Sequence, residues 1–237
     1  DVDCLHRETH EEEDGMGETV TLTANDGHSF DAYVARPADQ PKAGLVVVQE
    51  IFGVNRHIRS VADGFAKDGY LAVAPALFDR VERGIELGYD KDDIAEGRAI
   101  RAKISWDEAM SDVEAALGFV AGAGKAGVVG YCWGGSVAWL AACRLNPAAA
   151  VCYYGGNIHE CRNEKPSCPV MFHFGEEDAG IPMDQVKAIG EAHPKQELFT
   201  YPEAGHGFNC EMRGSYHAKS AALARERTLA FLGRTIG

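Results

Sequence analysis

The stretch GYCWGG, residues 130–135, decides the fold that we expect for this chain. It follows a short apolar strand predicted over residues 127–130 and precedes an alanine-rich helix predicted over residues 136–145. Cys132 therefore stands on a sharp turn between a strand and a helix. Glycines are needed beside such a turn because its central residue has a strained backbone and flanking side chains would collide with neighbouring chain.

The same stretch predicts Cys132 as a nucleophile, because it is the G-x-S-x-G pattern with cysteine in place of serine. The turn would hold the sulfur over a helix N-terminus, where the helix dipole and unpaired N–H groups favour the reactive thiolate. The alternative is a buried cysteine in a glycine-rich packing turn. The strand before the turn and the helix after it favour the nucleophile.

Strand and helix patterns alternate along the chain before this turn. Residues 19–24 and 28–36 alternate between polar and apolar on either side of an Asn-Asp-Gly turn, which predicts an antiparallel hairpin. Continuous apolar runs at residues 45–48 and 70–74 flank a helical stretch, residues 57–67. That pattern is typical of a βαβ unit with parallel strands.

The pattern continues through the rest of the chain. Further strands are predicted near residues 149–154, 170–174 and 197–201, and further helices over residues 106–120 and 216–232. We therefore expect an α/β fold of the α/β-hydrolase type, which is a doubly wound, mostly parallel sheet. The hairpin would form an antiparallel N-terminal edge.

Two candidate partners for Cys132 follow later strands, in the order nucleophile, acid, histidine that this fold uses. Asp178 comes soon after one of those strands, and His206 lies in a glycine-flanked loop after the next. An imidazole can take the thiol proton and return it to a leaving group, while a carboxylate fixes its tautomer. Asp178 could instead be an ordinary turn carboxylate, and Glu176 or Glu177 could be the acid.

The composition favours one domain with a large core. The chain has 237 residues, of which 46% are hydrophobic, and no linker-like stretch interrupts residues 19–237. Residues 1–18 are rich in acidic residues and histidine, so we expect a flexible tail there. His6 and His10 have the i, i+4 spacing of metal ligands, but the segment is expected to be a solvated tail without a metal.

Charge and cysteine content limit the possible partners. The formal net charge of −13 would repel a phosphate backbone, and no apolar run approaches the roughly 20 residues of a membrane span. The seven cysteines are an odd number and include no CxxC pair, which favours a reducing compartment. We expect a cytoplasmic protein, a monomer or a small homo-oligomer, that binds neither nucleic acid nor membrane.

Three segments together carry a family resemblance: QEIFGVN at residues 49–55, the cysteine turn at 130–135, and AGHGF at 204–208. They resemble the dienelactone hydrolase family. The likeness covers nearly all of the chain after the acidic segment. A QEIFG segment paired with a cysteine turn is much more specific than either motif alone.

The resemblance implies hydrolysis of an enol-lactone by a triad of Cys132, Asp178 and His206 through an acyl-enzyme, without a metal or an organic cofactor. It also places Glu50 close to the thiol, where the carboxylate holds and deprotonates the cysteine as substrate enters. The other interpretation of Glu50 is a strand-end carboxylate paired with a nearby arginine, because a buried carboxylate needs a partner.

Further roles follow from position within the resemblance. The backbone N–H groups of Ile51 and Trp133 would form an oxyanion hole for the developing negative charge. The aromatic side chains of Phe52 and Tyr131 would line the substrate pocket, although an aromatic residue beside such a turn is as often simple packing.

The chain departs from the family at two arginines that hold a substrate carboxylate. The Asn-Cys pair at residues 209–210 stands where one arginine is expected, and Arg213 lies a few residues later. Ile94 stands at the place of the other. Arg98 and Arg101 are three residues apart on a predicted helix, so they could bind an anion together or form a solvated stripe.

The leading prediction is thus a hydrolase of small lactones or carboxylic esters. An alternative enzyme is a promiscuous esterase acting on other activated esters. From a different class, a non-catalytic relative could use the thiol of Cys132 as a redox sensor, or could bind a small molecule without turnover.

Overall fold

The computed structural model describes residues 17–237, and one eight-stranded sheet runs through them. The strands are β1 Glu18–Thr23, β2 Ser29–Ala35, β3 Ala43–Val48, β4 Tyr70–Pro75, β5 Ala126–Tyr131, β6 Ala149–Tyr153, β7 Val170–Gly175 and β8 Glu197–Tyr201. The helices are α1 Arg56–Lys67, α2 Lys91–Arg101, α3 Trp106–Val120, α4 Trp133–Arg144, α5 Met183–Ala192 and α6 Ala218–Thr235. His6, His10 and all but the end of the expected tail lie outside the described residues.

The strands are arranged in the order β1-β2-β4-β3-β5-β6-β7-β8. The pairs β1–β2 and β2–β4 are antiparallel. Every other neighbouring pair among the eight strands is parallel. The predicted doubly wound, mostly parallel sheet with an antiparallel N-terminal edge is therefore confirmed.

The central strands are continuous apolar runs because helices cover both faces of the sheet. All six residues of β3 are buried. A Cβ on Gly44 would contact Val120 of α3, whereas the next residue, Leu45, shares a face with Gly127, which faces Ile236 after α6. Successive side chains of a strand point to opposite faces, so α3 and α6 cover different faces.

Three helices differ from the sequence prediction. Helix α4 begins at Trp133 and not at residue 136, because close packing holds its first turn helical despite two glycines of low helix propensity. Helix α6 covers Ala218–Thr235, whereas residues 216–232 were expected. Helix α5 was not predicted, since only Val186 and Ile189 are buried among its ten residues and its apolar pattern is weak.

Within residues 17–237, no helix combines the length and the apolar character that a bilayer crossing requires.

The turn between β5 and α4 holds Cys132 in an unusual backbone conformation. Its φ is 56° and its ψ is −118°, a region that residues with a Cβ seldom occupy. A Cβ on Gly130 would lie 1.8 Å from the carbonyl oxygen of Gly134. A Cβ on Gly134 would lie 2.4 Å from the carbonyl oxygens of both Val48 and Gln49. Glycine is therefore required on both sides of Cys132, as the pattern predicted.

We expect Gly134→Ala to lower the free energy of unfolding by about 1–3 kcal/mol, the usual cost of overpacking, or to prevent folding. The added methyl group would meet backbone atoms, which cannot rotate away. Gly118→Ala is a matched control, because Gly118 lies within α3 and nothing lies within 4 Å of an added Cβ there. It should gain up to about 1 kcal/mol from helix propensity. Chemical denaturation measures both, and a wild-type stability for Gly134→Ala would contradict the steric argument.

Candidate active site

Three polar side chains meet at the carboxyl edge of the parallel strands. Cys132 follows β5, Asp178 comes after β7 and His206 comes after β8. His206 Nε2 lies 3.1 Å from Cys132 Sγ, and His206 Nδ1 lies 2.7 Å from Asp178 Oδ2. Side chains 74 and 28 positions apart in the sequence thus form one hydrogen-bonded line from acid to imidazole to thiol.

The carboxylate in this line is Asp178 and neither of the two glutamates before it. The side chain of Asp178 is 1% exposed, and its second oxygen, Oδ1, accepts a hydrogen bond from the N–H of Gly180 at 2.8 Å. Glu176 is exposed and accepts a hydrogen bond from the hydroxyl of Thr200. Glu177 is also exposed. Burial with two hydrogen bonds makes Asp178 the only one of the three that holds the imidazole.

The pKa of His206 is raised by its two neighbours. Burial of the ring alone would lower the pKa, but the negative charges of Cys132 and Asp178 and their hydrogen bonds outweigh it and raise the pKa of His206 to about 10. The raised pKa keeps His206 as an imidazolium, which is a proton donor placed beside the sulfur of Cys132.

Two backbone amides near the thiol are available as donors. Trp133 is the first residue of α4, so its N–H has no intrahelical acceptor. Among the described residues, no protein group accepts a hydrogen bond from the N–H of Ile51. Ile51 and Trp133 both line the cavity that also contains the side chains of Cys132 and His206. These amides are the two that the sequence suggested for an oxyanion hole.

A cavity of about 220 Å³ opens above the thiol. Its walls are formed by Ile51, Phe52, Ile94, Arg98, Arg101, Cys132, Trp133, Gly156, Asn157, His206 and Arg213. Phe52, Arg98 and Arg101, which were candidates for substrate binding, are among these residues.

Tyr131, which was expected in the same pocket, lies elsewhere. It is the last residue of β5, is 2% exposed, and packs on Tyr153 with ring centroids 4.7 Å apart. Its ring lies beside His57 and contributes to a second cavity that contains neither the thiol nor His206. The expectation that Tyr131 lines the pocket is therefore corrected to a packing role, the alternative noted for an aromatic residue beside the turn.

Helix α2 brings two arginines to the mouth of the cavity. A Cβ on Gly97 would lie 1.9 Å from the carbonyl oxygen of Ile51, so the helix packs directly on the turn after β3. Arg98 is exposed, and the guanidinium of Arg101 lies 4.8 Å from the ring centroid of Trp106. Neither arginine forms an ion pair with a described acidic residue. Both charges remain available to an anion.

Glu50 is paired with an arginine beneath the same cavity. Its side chain is 1% exposed, and its Oε1 accepts a hydrogen bond from Arg213 Nη1 at 3.1 Å. The guanidinium of Arg213 also lies 5.5 Å from the ring centroid of Phe52 and 5.8 Å from that of Tyr89. The second interpretation of Glu50, a strand-end carboxylate held by an arginine, therefore describes the structure.

Arg213 supplies the positive charge that residues 209–210 lack. A Cβ on Gly207 would lie 2.5 Å from the guanidinium of Arg213, so this loop folds back and returns residue 213 to the vicinity of His206. Gly207 has a φ of 76°, which a residue with a side chain would adopt only with strain. The spacing of residues along the chain did not predict that Arg213 takes the place of the expected arginine. Arg213 reaches the site only because the loop folds back.

Two tyrosines at the site were not assigned a role from the sequence. The ring of Tyr154 lies 5.2 Å from that of His206, edge to face, and its hydroxyl is buried without a hydrogen-bond partner. Tyr89 packs on Phe52 and accepts a hydrogen bond from Asn55 at 3.0 Å. Tyr154 was predicted only as the last residue of a strand over residues 149–154, and nothing in the sequence indicated Tyr89.

Residues 30–236 match the dienelactone hydrolase family. A carboxymethylenebutenolidase of Pseudomonas putida is 35% identical over 227 residues, which cover 92% of this chain and 96% of that protein. A protein of Klebsiella pneumoniae subsp. pneumoniae MGH 78578, whose crystal structure is known, is 31% identical to this chain in sequence. The two structures have a TM-score of 0.77 over 92% of this chain and 99% of that one.

A dienelactone hydrolase-like promiscuous phosphotriesterase from metagenomic libraries also has a TM-score of 0.77, over 93% of this chain and 99% of that one. Its identity is 18%, so it is similar in fold alone. The family match spans most of the chain, and the relatives are similar over nearly their whole lengths. The predicted resemblance is confirmed, and with it the prediction of an enzyme of the hydrolase class. This chain belongs to the dienelactone hydrolase family.

Proposed function

We propose that this hydrolase cleaves small lactones or carboxylic esters that carry an anionic group, with Cys132 as the nucleophile. The observation that supports the proposal most directly is the hydrogen-bonded line from Asp178 through His206 to the thiol at the floor of a cavity of about 220 Å³. Nucleophile, base and orienting acid within hydrogen-bond reach are the recognised arrangement for covalent acyl transfer.

In the first half of the reaction, the thiolate of Cys132 attacks the carbonyl carbon and the carbonyl oxygen becomes an oxyanion. The N–H groups of Ile51 and Trp133 stabilise that charge. The oxyanion then collapses, the carbon–oxygen bond of the ester breaks, and the imidazolium of His206 donates its proton to the leaving oxygen. The product is a thioester on Cys132; for a lactone, the leaving alcohol stays attached to the acyl group.

In the second half, neutral His206 takes a proton from a water molecule that attacks the thioester. The resulting tetrahedral intermediate expels the thiolate of Cys132 and leaves a carboxylic acid. His206 is then again an imidazolium, and Asp178 stabilises its charge in both halves. The proton and the thiolate are restored, so no external reductant, oxidant or metal enters this cycle.

The charges around the cavity support an anionic substrate. Arg98, Arg101 and Arg213 all line it, although the chain carries a formal net charge of −13. A guanidinium binds a carboxylate by charge-assisted hydrogen bonds, which contribute about 1.5–3 kcal/mol each. The name of the Pseudomonas putida relative denotes a butenolide, which is a lactone, with a carboxymethylene group. A lactone with a carboxylate is therefore the substrate class that we propose.

We assign Glu50 a role in preparing the thiol. Arg213 holds one oxygen of this buried carboxylate and also lines the substrate cavity. A substrate carboxylate that binds Arg213 would compete with Glu50 for the guanidinium. A buried carboxylate that loses its partner gains affinity for a proton. In a molecule whose Cys132 is still a thiol, Glu50 would then take that proton and so supply the thiolate with which the cycle above begins.

Cys132→Ala and His206→Ala are both expected to abolish hydrolysis of an activated ester and of a carboxylate-bearing lactone, with losses of about 10³-fold or more in kcat/KM. The test uses one preparation and a panel of lactones, simple esters and an activated phosphotriester. Cys152→Ser is the matched control, because Cys152 is fully buried in β6 and is not among the residues that line the cavity.

Full turnover by His206→Ala would contradict the triad. Equal kcat/KM for lactones and for simple activated esters would favour the promiscuous esterase. If the wild type cleaved no member of the panel while Cys132 oxidised readily, a redox sensor would explain the reactive thiol better than an enzyme does.

The pH dependence of kcat/KM tests whether Asp178 raises the pKa of His206. The raised pKa of His206 keeps the imidazolium present up to about pH 10, so the activity of the wild type should fall only as pH rises through about 10. Asp178→Asn removes one of the two charges that raise this pKa. The alkaline limb of kcat/KM should therefore move to lower pH, and the maximum rate should fall by about 10²- to 10⁴-fold. An alkaline limb that stayed in place would contradict the role of Asp178.

Arg98→Gln and Arg101→Gln should each raise KM for an anionic lactone by about 10-fold, since each removes one charge-assisted hydrogen bond of about 1.5 kcal/mol. KM for a neutral ester of similar size should change by less than about 2-fold. Arg36→Gln is the control, because Arg36 forms an exposed ion pair with Glu18 on the antiparallel edge. Equal changes in KM for the anionic and the neutral substrate would show that the arginines do not distinguish a charged from an uncharged substrate.

A further inference from the structure

Beneath the substrate cavity, three ligand-type side chains from separate parts of the chain converge. Glu50 follows β3, His57 is the second residue of α1, and Cys210 lies in the loop after His206. One ligand atom from each lies within 4.8 Å of the others. All three residues are almost completely buried, with at most 1% of their surface exposed. Cys132 and His206 do not belong to this cluster, whereas Glu50 belongs to it and also has the proposed role in preparing the thiol.

One carboxylate oxygen of this cluster has no hydrogen-bond partner among the described residues. Oε2 of Glu50 is buried and unpaired, although Oε1 is bound by Arg213. His57 Nδ1 is ion-paired with Glu211 Oε2 at 3.0 Å, and the thiol of Cys210 also interacts with the buried ring. Burying a carboxylate oxygen without a partner costs about 1–3 kcal/mol, so the free oxygen of Glu50 beside an imidazole and a thiol indicates a ligand that would satisfy it.

We propose that Glu50, His57 and Cys210 bind a zinc ion. Thiolate, imidazole and carboxylate are the three protein ligands that zinc takes, and a thiolate excludes magnesium and calcium as preferred occupants. Ligand atoms around one tetrahedral zinc ion lie about 3.3–3.8 Å apart, given bonds of about 2.0–2.3 Å. The three side chains would therefore need to close by about 1.5 Å at most.

The charges of the ion and of its protein ligands balance. Two negative ligands, the Glu50 carboxylate and the Cys210 thiolate, neutralise the two positive charges of zinc. Burial alone would lower the pKa of His57, but Cys210 and Glu211 raise it to about 10, so His57 also has to release a proton to bind as the neutral imidazole. Cys210 releases its thiol proton to solvent when the metal binds. Glu50 can ligate zinc through Oε2 while Oε1 keeps its bond to Arg213. The ion would therefore fill the cluster without breaking the pair that holds Glu50.

A second cavity gives the ion a route to the cluster. It has a volume of about 260 Å³ and includes His57 and Glu211 in its wall. Residues of α1 and of α6, among them Gly64 and Arg225, form its sides. Three protein ligands leave a fourth position for a water molecule, which this cavity can supply. The route does not pass the thiol of Cys132, because the two cavities share no lining residue.

The presence of Cys210 connects this site to the departure from the family pattern. The resemblance places an arginine near residues 209–210, and here a cysteine stands there while Arg213 pairs with Glu50. An arginine at that position would put a positive charge against a metal ion. With Cys210 there instead, the position carries no positive charge and offers a thiolate. Both changes favour a zinc ion beside Glu50. Zinc takes no part in the acyl transfer at Cys132, but while the ion holds Glu50 that carboxylate cannot accept the thiol proton as proposed above.

The test uses Co²⁺ as a spectroscopic probe for zinc, added to the full-length chain. We expect one equivalent to bind with a thiolate-to-cobalt charge-transfer band and visible bands of tetrahedral cobalt, and Zn²⁺ to displace it. Cys210→Ser should abolish the charge-transfer band, and His57→Gln should weaken binding by at least about 100-fold while the band remains at saturation. Zn²⁺ should also raise the Tm of the wild type, but not that of Cys210→Ser.

Two further cysteines serve as controls, because Cys132 with His206, and Cys4 beside His6, could bind metal independently. Cys132→Ser and Cys4→Ser should both keep the band and the wild-type affinity. Loss of the band in either variant while Cys210→Ser retained it would overturn the proposal, as would the absence of a charge-transfer band in the wild type. Circular dichroism identifies any variant that fails to fold. If Cys210→Ser does not fold, the affinity of His57→Gln for Co²⁺ alone decides whether the proposal holds.

Discussion

The backbone of Cys132 is the constraint on which the rest of the site depends. Its left-handed conformation turns the chain from β5 directly into α4, and its N–H donates to the carbonyl of Tyr153 at 3.0 Å. The first turn of α4 then packs against carbonyl oxygens of Val48 and Gln49 through Gly134. The ends of three neighbouring strands are thus held against one helix. This packing brings the thiol, the amide of Trp133 and the segment after β3 to one place without any flexible connection.

The two buried carboxylates at this edge of the sheet, Asp178 and Glu50, are stabilised in different ways. Asp178 is buried and fully hydrogen-bonded, so it holds His206 in place and favours its charged form. Glu50 is equally buried, but its charge is balanced by Arg213. The net charge of −13 describes the whole chain, whereas the cavity wall carries three arginines and no lysine, aspartate or glutamate. The anionic substrate that we propose would therefore meet the local positive charge of the cavity and not the negative charge of the whole chain.

The candidate site could be predicted from the sequence wherever a role depends on position along a strand, turn or helix. The turn at Cys132, the strand-end positions of Asp178 and His206, and the helical face shared by Arg98 and Arg101 are of this kind. Predictions were less accurate where the position of a residue depends on tertiary packing. The start of α4 was misplaced because its glycines disfavour a helix in isolation, and Tyr131 was assigned to the pocket although its ring packs beneath the sheet edge.

The sequence by itself determined the sheet, the family and the order in which Cys132, Asp178 and His206 follow its strands, because periodicity, turn glycines and motif spacing are local properties of the chain. Only the tertiary structure decided that Arg213 reaches Glu50 and that Glu50, His57 and Cys210 lie together. Both arrangements join segments more than 150 positions apart in sequence through a loop that folds back at Gly207. The contacts of such a loop depend on the backbone around it, and no spacing along the chain encodes them.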